Sequence, residues 1–138
     1  MAGVFDGHGG SKVSGFCRES LVPAFDRIVE GENKEGETKP SVEGVERGLE
    51  GALREVSKRV LAKGTWKYQG STAVVCYIHT QVDKEGNNVS TIVSGNIGDS
   101  RAVLSRGKKA VDLTRDHKPN DEEETRRIKA LGGKVSAS

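Results

Sequence analysis

The 138-residue sequence predicts an α+β fold. Two helical apolar periods occupy the first half, and β-branched runs separated by turn residues occupy the second. Those runs follow one another as hairpins, with no helical crossover between them. The strands are therefore expected to be antiparallel.

The elements follow in order. "AGVFD" (2–6) reads as the end of a strand, and the glycines after it as a turn. Ser11 stands where a helix N-cap stands. Val13, Phe16, Cys17, Leu21, Phe25 and Ile28 then recur at three- and four-residue steps, one helical face. Pro23 lacks the amide donor and is expected to kink or divide that helix. Residues 30–40, "EGENKEGETKP", carry no apolar side chain and read as a solvated loop. The helical period returns at Val42, Val45, Leu49, Leu53, Val56 and Val60, with Gly64 as its expected stop. Gly44, Gly48 and Gly51 each weaken this helix by about 1 kcal/mol relative to alanine. Their spacing also lets another element approach closely.

"STAVVCYIHT" (71–80) and "VSTIVSGNIG" (89–98) read as strands around the turn "DKEGNN" (83–88). "RAVLS" (101–105) and "AVDLT" (110–114) make a second hairpin. Residues 120–131 close the pattern as a helix. Asn120 is the expected cap, Glu122 and Glu123 favour the amino end, and Gly132 ends it.

Composition narrows the function classes. Charged residues reach 30%, but 22 basic side chains meet 20 acidic ones, a net +2. That balance points neither to a nucleic-acid binder nor to an acidic partner. "RRIK" (126–129) lies beside "DEEE" and reads as a mixed helix face. Cys17 and Cys76 lie far apart, without a CxxC spacing, and read as buried free thiols. No apolar stretch approaches a membrane span, so no membrane partner is expected and the expected location is cytoplasmic or nuclear.

Two stretches concentrate chemistry. In "GVFDGHGG" (3–10), Asp6 supplies a hard oxygen ligand, and the glycines beside it leave backbone carbonyls exposed. Gly7 is the residue whose carbonyl stands next to that carboxylate, and His8 can carry a proton near neutral pH. Such oxygen donors suit Mg²⁺ or Mn²⁺, whereas the Cys/His spacing of a zinc site is absent. The same residues also make a tight strand-to-helix turn, and both readings stand on the residues alone. In "SGNIGDSRAVL" (94–104), Asp99 sits at a glycine bend, either as a ligand or as an acceptor for backbone donors of a hairpin turn. His79 falls in a strand pattern and His117 in a turn before Pro119. "GSTAV" (70–74) offers hydroxyls at Ser71 and Thr72 without the pattern of a nucleophile elbow.

"VFDGHGG" (4–10), "GSTAVV" (70–75), "GNIGDSRAVL" (95–104) and "LTRDHKPNDEEETRRIKALGGKV" (113–135) occur together in this order. The combination resembles the metal-dependent serine/threonine protein phosphatases of the type-2C class. The resemblance implies an α-β-β-α sandwich, two antiparallel sheets flanked by helices, with metals at one end of the cleft between the sheets. It matches Asp6 to the aspartate that bridges two metal ions and Gly7 to the residue whose carbonyl binds one of them. It matches His8 to the general acid, Asp99 to a carboxylate of a third, weaker metal site, and Thr72 to a position near that site. The implied reaction is hydrolysis of phosphoserine and phosphothreonine in proteins, by a water that two Mg²⁺ or Mn²⁺ ions activate. The implied partners are phosphorylated proteins, with kinases or regulatory proteins beside them.

The departures define a second expectation. The family carries an acidic pair and a phosphate-binding arginine ahead of the "DGH" motif, and metal-binding "DG" and "DN" motifs in a later half. Only five residues precede Asp6, none acidic and none arginine, and the later motifs do not occur. Residues 1–138 are thus expected to be part of a catalytic domain, lacking its start and its later half, with an incomplete sandwich. Two octahedral ions bring about twelve coordination positions, against one core carboxylate, one carbonyl and Asp99. Weak or absent activity of the isolated chain is expected, as are open sheet edges and self-association. The alternative is a catalytically dead phosphatase fold that engages a phosphoprotein or a kinase.

Overall fold

The computed structural model describes residues 1–32 and 39–136. The observed architecture is α+β, with antiparallel pairing throughout the described sheets. Strand β1 (Ala2–Val4), β4 (Ala73–Val82) and β5 (Asn88–Ile97) form a three-stranded sheet in the order β1-β4-β5. Two short ribbons accompany it. One pairs β2 (Gly7–His8) with β3 (Gly70–Ser71), the other β6 (Val103–Arg106) with β7 (Lys109–Asp112). Helices α1 (Lys12–Glu32) and α2 (Val42–Leu61) cover one face of the main sheet, and α3 (Glu122–Ala130) follows the second ribbon.

The core explains this layering. Val13, Cys17, Leu21, Phe25 and Val29 of α1 meet Val45, Leu49, Ala52 and Val56 of α2 over Val75 and Val93 of the sheet. Side chains alternate across β4. Ala73, Val75 and His79 are buried on the helical side, while Ile78 and Val82 stand exposed on the other. His79 is thus a buried residue of the helical face, remote in role from the glycine turn. The outer face keeps the exposed apolar side chains Val4, Ile78 and Val82. It is covered in part by residues 113–115, which Ser94 Oγ reaches at the Leu113 carbonyl (2.8 Å) and Asn96 Nδ2 at the Arg115 carbonyl (2.7 Å). Among the described residues no helix is long and apolar enough to cross a membrane.

Several elements depart from expectation, each for a physical reason. Pro23 does not divide α1, which runs unbroken from Lys12 to Glu32. Leu21, Ala24 and Phe25 are buried on both sides of the proline, so packing carries the helix across one missing bond. The solvated loop expected over 30–40 lies mainly in residues 33–38, outside the described residues, and α1 takes its first residues. Ser11 does not close the start of α1 with its side chain. The Lys12 amide instead donates to Gln69 Oε1 at 3.2 Å. Asp121, not Asn120, caps α3, accepting from the amides of Glu123 and Glu124 at 3.1 and 3.0 Å. Its ionised carboxylate is the stronger acceptor beside three glutamates that already complement the helix start. Gly132 does lie beyond the helix end at φ 80°. Cys17 is buried, but Cys76 is only half-buried because it faces outward from β4; both thiols are free.

The α2 glycines serve close packing. A Cβ built on Gly48 would lie 2.5 Å from Val29 Cγ2 and 3.0 Å from Phe25 Cε2, both buried. A Cβ on Gly15 of α1 would meet nothing within 4 Å. Helix propensity favours alanine at both sites by about 1 kcal/mol. At Gly48 the clash with a stiff, buried valine outweighs that gain. Gly15→Ala is therefore expected to raise stability by about 0.5–1 kcal/mol, and Gly48→Ala to lower it by about 1–3 kcal/mol, in urea unfolding monitored by circular dichroism.

Candidate metal centre

The site grows out of one antiparallel ladder. Ala2–Val4 pair with Val74–Cys76, and Gly7–His8 pair with Gly70–Ser71, in a single register that sets Asp6 opposite Thr72. The ladder is altered at that pair. The Thr72 amide donates to the Asp6 carbonyl at 2.9 Å, as a ladder would have it. The Asp6 amide, however, donates to Thr72 Oγ1 at 3.2 Å, while the Thr72 carbonyl accepts from Ser71 Oγ at 2.7 Å. A side-chain hydroxyl thus replaces one backbone acceptor. This is why β1 and β2 are separate strands, and why 71–80, expected as one run, divides at Thr72.

Alternation then sorts the side chains. Phe5 packs against the core from the helical side. Asp6 and His8, one residue on either side of Gly7, share the opposite face. Both side chains are exposed, and neither makes a hydrogen bond or ion pair among the described residues. His8 lies over its cross-strand partner: a Cβ on Gly70 would come within 2.4 Å of His8 Nε2. Gly9 turns the chain into α1 at φ 69°, and a Cβ there would strike the Tyr68 carbonyl oxygen at 2.0 Å. Glycine is required at Gly9, for conformation and contact, whereas at Gly70 a side chain would displace the His8 ring.

Asp99 belongs to the neighbouring bend. Thr72 Oγ1 lies 2.6 Å from Ser100 Oγ, so the hydroxyl that receives Asp6 also ties down the residue after Asp99. The bend is laced to residues 113–117. The His117 amide donates to the Gly98 carbonyl at 2.9 Å, and the Ala102 amide to Thr114 Oγ1 at 2.9 Å. The Asp99 carboxylate is exposed and accepts no backbone donor among the described residues, unlike the hairpin-turn alternative. His117 is exposed and takes part through its amide. Ser100 and Gln69 are structural members of the site that the sequence reading did not single out. Ser100 follows Asp99 and Gln69 precedes "GSTAV", but neither carries a local pattern that announces its contact.

The donors suit a hard divalent cation in kind, an exposed carboxylate next in sequence to an exposed glycine. They fall short in number: among the described residues no three His, Cys, Asp or Glu side chains gather closely enough to hold an ion.

A family model for protein phosphatase 2C matches residues 1–138. The chain belongs to the protein phosphatase 2C family. It is 42% identical to probable protein phosphatase 2C 6 of Oryza sativa subsp. japonica, over 96% of this chain and 29% of that protein. It is 38% identical to protein phosphatase 2C 56 of Arabidopsis thaliana, again over 96% of this chain and 29% of the relative. Protein phosphatase 2C 16 of the same plant is 38% identical over 96% of this chain and 28% of its own length. The chain therefore spans under a third of each of these three relatives. The α-β-β-α architecture follows from the family, and its helical layer and one main sheet are seen here.

In this member of the protein phosphatase 2C family the bend is braced by charge. Arg101 Nε donates to Asp116 Oδ1 at 2.8 Å, and Lys118 Nζ lies 3.1 Å from Asp116 Oδ2. The Arg101 hydrogen bond, then that of Lys118, lowers the Asp116 carboxyl to about 2. Because that folded value lies below an unfolded aspartate near 3.9, the contribution to stability is present above about pH 4 and is lost as pH falls through about 2. Arg101→Ala is expected to move the Asp116 transition upward, towards the ordinary aspartate value, in a carboxyl-detected NMR titration. An unmoved transition would show that Arg101 is not its principal partner.

Proposed function

We propose that the protein carrying this chain hydrolyses phosphoserine and phosphothreonine in phosphoprotein substrates with the help of Mg²⁺ or Mn²⁺. The observation that carries this reading is the exposed pair Asp6 and His8, without side-chain partners among the described residues, on one face of a ladder locked by Thr72, within a protein phosphatase 2C chain. Asp6 and the Gly7 carbonyl would hold the metal, and Asp99 would serve a further ion at the neighbouring bend. Bound divalent ions supply Lewis-acid charge for the phosphoryl oxygens and lower the pKa of water. The chain's own part is positional. Thr72 aims the Asp6 carboxylate by gripping its backbone on both sides. The Gly70 backbone leaves room for the His8 ring, which protonates the departing serine or threonine oxygen. No cysteine nucleophile is required.

The same reading makes residues 1–138 one part of a catalytic domain. Two dications about 4 Å apart repel strongly unless carboxylates neutralise them, and the described residues gather too few. A second reading, a phosphatase fold that binds phosphoproteins without turnover, draws on that same shortage. Kinases or regulatory proteins as partners, and a cytoplasmic or nuclear location, belong to the proposal as well.

Two measurements test it. In the full-length protein, Asp6→Asn is expected to cut turnover of a phosphoserine peptide by about a hundredfold or more, with an unchanged circular dichroism spectrum. Undiminished turnover would remove Asp6 from the mechanism. Calorimetric titration of residues 1–138 alone with Mn²⁺ is expected to show no pair of micromolar sites, and such a pair would contradict the shared-site reading.

A further inference from the structure

The balanced total charge hides a local asymmetry. Between Glu55 and Asp83 the chain contains no acidic residue, yet it carries Lys58, Arg59, Lys63 and Lys67. These cations enclose the short 3₁₀ turn Gly64–Trp66 that joins α2 to β3. Aromatic rings lie beside three of them. The Arg59 guanidinium lies 4.8 Å from the Phe16 ring centroid, Lys63 Nζ 5.8 Å from Trp66, and Lys67 Nζ 5.6 Å from Tyr68. Trp66 itself stands edge-on to Phe16, centroids 5.4 Å apart, which anchors the turn to α1. Arg59 has Glu55 within 3.7 Å. Lys63 and Lys67 are exposed and have no ion-pair partner among the described residues. Tyr68 is 83% exposed, far beyond what a buried structural role requires.

The patch adjoins the candidate centre through the backbone. The Tyr68 carbonyl oxygen is the atom against which Gly9 turns, Gln69 receives the Lys12 amide, and Gly70 underlies His8. Lys67 is three residues from Gly70, at most about 10 Å of chain. A side chain a few residues from a phosphoserine held beside His8 can therefore reach Lys67 and Lys63.

We propose that Lys63, Lys67 and Tyr68 form a docking surface for acidic side chains flanking the phosphorylated residue of a protein substrate. The inference rests on the phosphatase reading and extends it to a substrate class, phosphosites embedded in Asp/Glu-rich or multiply phosphorylated sequence. Unpaired cations attract such a segment at long range and set its register at contact. The Tyr68 ring offers an apolar face for the aliphatic part of a glutamate.

The test uses two fluorescent peptides with one phosphoserine centre, flanked by Asp/Glu in the first and by Lys in the second. Binding to the full-length protein is read by anisotropy in EDTA, so that nothing is turned over. The acidic peptide is expected to bind about tenfold more tightly at low salt, with the preference shrinking as salt rises. In the double variant K63E/K67E the preference is expected to disappear or reverse. Equal binding of the two peptides by the native protein, or a preference that survives the double charge reversal, would overturn the proposal. So would phosphatidylserine vesicles co-sedimenting with the native protein but not the variant, in the absence of any peptide preference. Absence of turnover when metal is restored would count against the phosphatase reading while leaving the binding preference in place.

Discussion

The grip of Thr72 on Asp6 is the contact on which the rest of the site depends. A threonine opposite an aspartate is an ordinary cross-strand pair. Here the threonine amide donates to the Asp6 carbonyl while its hydroxyl accepts from the Asp6 amide, so both main-chain groups of Asp6 are held by one residue. The same hydroxyl meets Ser100 at 2.6 Å. One oxygen therefore joins the glycine turn of residues 7–10 to the bend that carries Asp99. Neither carboxylate spends its own oxygens on that job. The backbone positions of Asp6 and of the residue after Asp99 are thus fixed while both carboxylates stay available as acceptors.

The helical layer makes that rigidity affordable. Leu21, Val45 and Val75 are the largest fully buried side chains, and each belongs to a different element of the same core. The close fit of Gly48 against Val29 brings α2 down onto α1. Phe5 belongs to this core, and its neighbour Asp6 must then face the other way. Core packing and site orientation are thus one alternation read on two faces. The outer face, with Val4, Ile78 and Val82 exposed, is the face on which Asp6 and His8 stand. The main sheet separates the apolar interior from the side where chemistry is proposed.

Much of this was legible in the sequence. The apolar steps of Val13 to Ile28 and Val42 to Val60 become α1 and α2, because a buried helical stripe must recur every three to four residues. The hairpin around residues 83–88 appears as expected, with Asp83 Oδ1 receiving the amides of Glu85 and Asn87 and Gly86 at φ 86°. The four motifs, met in order, led to the protein phosphatase 2C family. The misreadings were local ones that tertiary structure overrode. Pro23 was outweighed by its buried neighbours, Ser11 was displaced as a cap by Gln69, and Asn120 yielded to Asp121. The overall charge balance concealed Lys63 and Lys67, which have no ion-pair partner among the described residues, since a total says nothing about placement.

By itself the sequence determined the element types, the antiparallel hairpins and the donor chemistry of Asp6, Gly7, His8 and Asp99. These are properties of residues near one another in the chain, governed by periodicity and by turn stereochemistry. Only the tertiary structure decided that Thr72 faces Asp6, that Ser100 meets Thr72, that Gln69 closes α1 and that the Tyr68 carbonyl backs Gly9. Those contacts join positions as far as 66 residues apart. Strand register brings them together, and register follows from which face of each strand the core can bury.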